Sequence, residues 1–364
     1  MFKAAEGSTK QLIQFCIGYF LTYVVTGLSI KYYMGSPDKG FPGFSDMEFL
    51  VYGTASATLI PTLTVLILRW YRMESARLIS FFGLRIPIEY LFIIPSGICT
   101  AVVVPTTTLM YTLPISVMVA MIIMRGSVII ISRIVDAMQI QQGILTKRVY
   151  AEENWAVFFA IAAVGVHILW VKEGSFDFLH NFAAMTILGS YILAYMIRIY
   201  IMNYYKNTAG KGAKRDNKAF FAVEQICMYV TMVLVVPLLF FSPSLFGWNP
   251  PQIEGLRQAV LVPREGWPMA SFWGSFFGMA AFFSVFLFMF KGRTATFAGL
   301  VNRLTSLVAG TVVTLLFYFF FGGKFPSNQD WISLLFILAS VGFLTKAEKH
   351  RTRELIKTHE IEKT

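Results

Sequence analysis

Ten stretches of about twenty mostly apolar residues follow one another along this chain, each the length an α-helix needs to cross a bilayer. They fall at roughly 11–34, 47–71, 86–110, 113–138, 152–171, 178–205, 219–241, 267–290, 294–321 and 331–346. Lipid offers the backbone no hydrogen-bond partner, so such a run reads as a helix that satisfies its own amides. Only 14% of residues are charged, against about 25% in soluble domains. The expected class is therefore all-α, a polytopic membrane protein. A β-barrel would show alternation over ten-residue segments instead. Met1–Lys10 is a short polar leader, and the first run is too long for a signal-peptide core.

The formal charge of +11 would suit a nucleic-acid binder, but the positions of the cations give another answer. Of the 31 Lys and Arg, 21 fall in the N-terminal segment and alternate loops on its side, 6 in the opposite loops and four within the runs. By the positive-inside rule both termini are cytoplasmic, and no nucleic-acid partner is needed. The absence of targeting extensions favours a bacterial inner (plasma) membrane. Cys16, Cys99 and Cys227 lie far apart inside the runs, which suits packing rather than disulfides or metal. There is no phosphate loop, HExxH, CxxC or nucleophile elbow, so neither an enzyme nor a cofactor is expected.

Arg125 interrupts the fourth run near its middle and Arg303 the ninth. A guanidinium at that depth costs ~2.5–3.5 kcal/mol on insertion scales, so it implies a partner, water or a ligand. The two arginines also belong to an internal repeat. Arg125, Trp155 and Gly165 recur as Arg303, Trp331 and Gly342, at offsets of 178, 176 and 177 residues. Five runs separate the matched elements, so the halves cross the membrane in opposite senses, as inverted-repeat transporters do. The predicted organisation is a first five-helix repeat over 1–173, a second over 174–346 and a charged cytoplasmic tail over 347–364. The tail reads as a frayed helix against the headgroups.

Ten short runs, termini inside, a tiny loop between runs three and four, and an aromatic–glycine helix closing each half together resemble the drug/metabolite transporter superfamily. Basic residues in runs four and nine are similar to those of its nucleotide-sugar and phosphate translocator branch. That resemblance implies that Arg125 and Arg303 contact substrate anions, with Asn302, Thr305 and Ser306 beside the second. Run four is followed by Gly143 and Lys147-Arg148 rather than by the Gly-Glu of the small-exporter branch.

Helical spacing sorts the remaining polar residues. Ser132 and Asp136 share the face of Arg125, which reads as a cavity wall leading to the cytoplasm. Tyr191, Tyr195 and Arg198 share one face of run six, and Glu224 lies at similar depth in run seven. Arg198 and Glu224 read first as a structural pair and second as a proton-coupled gate. Lys31 reads as a cation snorkelling to the interface. The segment 242–266 reads as a linker, with an ordered cap as the alternative.

The expected function is a secondary transporter moving a small anionic metabolite, phosphorylated or nucleotide-linked species included, by alternating access. The expected ligands are that small molecule or a lipid, and the assembly a monomer or homodimer. The alternatives are a lipid- or polyprenyl-phosphate flippase, an exporter of amino acids or cationic drugs, and a membrane-embedded lipid enzyme.

Overall fold

The computed structural model describes residues 7–73, 75, 78–81, 83–112, 117–146, 148–170, 180, 182–208 and 216–358. Residues 113–116, where the tight turn between runs three and four falls, lie outside these. So do Lys147 and the boundary at 173/174. Twelve α-helices are present among the described residues: α1 Thr9–Tyr33, α2 Asp46–Ile67, α3 Tyr90–Thr112, α4 Val117–Gln141, α5 Ala151–Gly165, α6 Phe182–Thr208, α7 Asn217–Phe240, α8 Ser242–Phe246, α9 Pro251–Leu261, α10 Trp267–Phe288, α11 Ala295–Phe321 and α12 Asn328–Lys357.

Eight of them (α1, α2, α3, α6, α7, α10, α11 and α12) are long and apolar enough to cross a membrane. The protein is thus an all-α, multi-pass integral membrane protein. The other two runs are also helical. α4 carries Arg125, Arg133 and Asp136, and α5 has 15 residues and runs on as a 3-10 turn over Val166–Trp170.

Side chains that satisfy terminal amides set several helix starts. Ser45 with Glu48 and Ser327 with Asp330 form capping boxes for α2 and α12, and Thr294 caps α11. Two elements depart from the sequence expectation. Leu78–Phe81 (β1) and Leu84–Pro87 (β2) pair antiparallel between α2 and α3, turning through Gly83 in the left-handed region. The segment 242–266 is an ordered cap: Tyr52 of α2 donates to the Ala259 carbonyl of α9 and accepts from the Arg264 amide.

The main packed pairs are α2 and α1 on α10, α3 on α6 and α7, α1 and α4 on α11, α4 on α6, α2 on α7, and α5 on α12. Thr9 at the start of α1 bonds both Glu348 and Thr352 near the end of α12, so the first and last described helices start and finish at one end of the bundle. We call this the termini end. Helices cross closely where a missing Cβ lets backbones meet. Gly274 lies on the backbone of Gly53, and Gly278 lies against the Ala57 carbonyl.

Gly274→Val and Gly278→Val should each cost ~1–3 kcal/mol through overpacking of the α2–α10 crossing. Gly342→Ala, where an added Cβ meets nothing within 4 Å, should stay within about 0.5 kcal/mol of the parent. Thermal unfolding in detergent reads both. An unshifted melting point for Gly274→Val would contradict the crossing.

Candidate functional site

A cavity of about 490 Å3 opens among α1, α2, α10, α11 and α12, at the half of the bundle away from the termini. Its walls include Lys31 at the end of α1, Asp46 at the start of α2 and Asp330 at the start of α12. Phe49, Trp273 and Phe277 supply an aromatic side, and Thr26, Thr311, Thr314 and Ser333 supply hydroxyls. Arg125 of α4 and Thr107 of α3 also line it.

One stripe of α11 orders the cations by depth. Arg303, Leu307, Gly310 and Thr314 follow at helical spacing, so they lie on one face. Lys31 Nζ donates to Thr314 Oγ1 at 2.9 Å and lies 5.7 Å from the centre of the Phe317 ring. The Arg125 guanidinium faces Gly310, with Nη2 3.4 Å from where a Cβ would stand. At a 1.5 Å rise per residue, Lys31 engages the stripe ~6 Å beyond Arg125, and Arg303 starts ~10 Å below it. Lys31 therefore lines the cavity wall rather than only snorkelling to the interface.

Arg303 is 7% exposed, and its guanidinium lies 5.3 Å from the centre of the Tyr195 ring. Its Nε and Nη2 are buried and meet no hydrogen-bond acceptor among the described residues. Tyr19, Tyr23 and Tyr191 lie within electrostatic reach of it. Tyr19 is also within electrostatic reach of Arg125. Tyr19 donates to Asn302 Oδ1 at 3.4 Å, and Asn302 donates to Ser284 at 2.9 Å. Tyr191 donates to the Met124 carbonyl at 3.2 Å and packs on Tyr195, with centroids 4.9 Å apart. No carboxylate pairs with Arg125 or Arg303 among the described residues.

The structure thus sets Arg303, Asn302, Tyr195 and Arg125 within reach of Tyr19, puts Tyr191 beside Tyr195 and Arg303, and leaves other expected residues elsewhere. Ser132 is fully buried, donates to the Val128 carbonyl and packs on Gly299 of α11. Asp136 accepts the Ala295 and Thr296 amides at 2.8 and 2.6 Å. The α4 face that continues from Arg125 through Ser132 and Asp136 is therefore sealed against α11 and is not a cavity wall. Ser306 donates to the Arg303 carbonyl, and Thr305 is half-buried outside the cavity lining.

Arg198 and Glu224 form a separate buried site. Arg198 donates from Nε and Nη2 to the two carboxylate oxygens at 2.9 and 3.0 Å, and Ser96 and Thr100 of α3 add further donors. Tyr19 and Tyr23 escaped the sequence reading, although the i, i+4, i+7 spacing of Tyr19, Tyr23 and Thr26 marks a polar face on α1. No group of His, Cys, Asp and Glu suited to a metal ion occurs among the described residues.

No protein-family model and no curated protein match the chain. Twenty solved chains match it in fold. One is described only as a crystal structure of a protein. It aligns over 94% of this chain and 99% of its own length, at a TM-score of 0.53 and 11% identity. That likeness shows a fold already seen in a solved structure, and nothing more.

Glu224→Ala should destabilise the protein by ~3–5 kcal/mol, because Arg198 is left as an unpaired buried charge. The apolar double variant Arg198→Met/Glu224→Leu should recover most of that loss. Thermal unfolding checks it, and a Glu224→Ala protein that melts like the parent would contradict the structural role of the pair.

Proposed function

We propose that this protein is a secondary transporter of a small anionic metabolite, working by alternating access in a bacterial inner membrane. The observation that carries the proposal is Arg303: a buried guanidinium with two nitrogens unoccupied, sharing Tyr19 with a second carboxylate-free arginine below a hydroxyl-lined cavity. Burying a charge without a partner is costly. An anion bound between Arg125 and Arg303 removes that cost and gains charge-assisted hydrogen bonds. A phosphoryl or carboxylate group suits the guanidinium fork, and the Tyr195 ring holds the fork in place from its other side, worth ~0.5–2 kcal/mol.

In this reading α1–α7 and α10–α12 are ten spans, in two inverted halves with both termini cytoplasmic, like the drug/metabolite transporter superfamily that the sequence resembles. The packing supports the repeat. Exchanging α1–α5 with α6, α7, α10, α11 and α12 in order turns α1–α10 into α6–α3, α2–α10 into α7–α3, and α1–α11 into α6–α4. The pairs α2–α7, α4–α11 and α5–α12 map onto themselves. Two buried bonds between α5 and α12 give the register. Ser333 donates to the Ala163 carbonyl and Ser340 to the Ala156 carbonyl, both at 2.7 Å. A shift of 177 residues carries each residue pair onto the other, the same offset that relates Gly165 to Gly342.

Binding to the folded state raises the apparent melting temperature, with ~2.7 kcal/mol gained at a ligand concentration a hundredfold above Kd. Across a panel of phosphorylated metabolites, amines and lipid phosphates, the water-soluble phosphorylated anions should raise it and amines should not. Arg125→Ala and Arg303→Ala should stay folded, lose that shift and abolish uptake or exchange. Normal transport by both variants would end the anion reading, and stabilisation by lipid phosphates alone would favour a flippase.

A further inference from the structure

We infer that the C-terminal extension of α12 is a clasp that holds the termini end of the bundle shut, an inference that rests on the transport reading above. α12 runs on through charged sequence to Lys357, yet Glu348, Arg351 and Leu355, at i, i+3 and i+7, are buried. A frayed helix against headgroups would expose them. One face of the extension instead binds three separate segments.

Glu348 takes Arg293, in the turn between α10 and α11, through both carboxylate oxygens. Leu355 packs on Gly292 of the same turn, where any side chain would collide with it. Glu348 also accepts from Thr9 at the start of α1 at 3.0 Å, and Arg293 reaches on to the Gly7 carbonyl at 2.8 Å. Arg351 donates to the Arg148 carbonyl, lies 4.5 Å from the centre of the Tyr150 ring and faces Glu153 at 3.7 Å. The extension therefore ties the turn before α5 to the turn before α11 and to the start of α1.

These segments must part if a solute is to leave by the termini end. Beneath the clasp the same end is sealed again: Asp136 holds the α11 amides, Thr294 donates to Glu153 at 2.8 Å, and Lys206 donates to the Phe288 carbonyl at 3.0 Å. The shift of 177 residues carries Glu153 onto Asp330, which instead stands on the cavity wall at the other end. The contacts at the two ends thus differ as a gate that is shut differs from one that is open.

Cys16 reports on the clasp without any substrate. It lies on α1 between Thr9 and Tyr19, half-buried and within electrostatic reach of Glu348. The experiment labels the purified full-length protein with a charged methanethiosulfonate and quantifies Cys16, Cys99 and Cys227 separately by mass spectrometry. In Glu348→Arg, labelling of Cys16 should rise about tenfold, equivalent to ~1.4 kcal/mol, with Cys99 and Cys227 unchanged. The charge swap Arg293→Glu/Glu348→Arg should return Cys16 to within about twofold of the parent, since the attraction is restored with reversed sign. No rise at Cys16, a rise shared by all three cysteines, or a rise that the swap leaves in place would each overturn the clasp. Loss of anion binding with Cys16 behaving as expected would overturn the anion reading and leave the clasp standing.

Discussion

The two carboxylate oxygens of Asp136 accept the first amides of α11, and that contact governs how α4 lies against its partner. A helix N-terminus carries about half a positive charge and unsatisfied N–H groups, so a buried carboxylate there meets both charge and geometry. Two turns further along α11, Arg303 takes its place beside Tyr195. Along α4 in the other direction, Ser132 closes on Gly299 and Arg125 then emerges opposite Gly310. The two arginines reach one region because α4 and α11 run in opposite senses from a shared seal. Asn203 of α6 steadies that seal by donating to Asp136 and Gln139.

The seal also divides the molecule by chemistry. At the termini end, charged side chains are buried in mutual contacts: Asp136, Glu153, Arg293 and Arg351 are each at most 2% exposed. At the far end, Lys31, Asp46 and Asp330 line a cavity. In the proposed cycle, which takes the two halves as an inverted repeat, these ends exchange roles about the arginines. Such an exchange is inexpensive for an inverted repeat because each half supplies the same kinds of contact in the opposite sense.

Much of the fold was legible because lipid imposes a simple rule on length and polarity. Each of the ten apolar runs carries a helix, and helical spacing within α6 correctly brought Tyr191 next to Tyr195. What was not legible depends on which neighbour a face meets. Ser132 and Asp136 share the face of Arg125, but periodicity gives no sign that α11 covers two of these positions and leaves the third open. Lys31 at a helix end has the pattern of a snorkelling lysine, and only the position of Thr314 on another helix turns it into the cavity. The end of α12 is charged on every side in sequence, and its burial depends on Thr9, Arg148 and Arg293, which are distant in the chain. The β1–β2 hairpin is too short to show a strand period, and the cap over α2 is held by contacts between residues distant in the chain, Tyr52 with Ala259 and Arg264 and Arg264 with Pro42.

The most direct measurement is the location of an electron-dense anion in an experimentally determined structure of the protein loaded with tungstate. The account predicts density within hydrogen-bonding distance of the Nε and Nη2 atoms of Arg303, with Arg125 on its other side and Tyr19 adjacent. Density confined to the cavity mouth near Lys31, or an Arg303 found paired with a carboxylate of the protein, would contradict it.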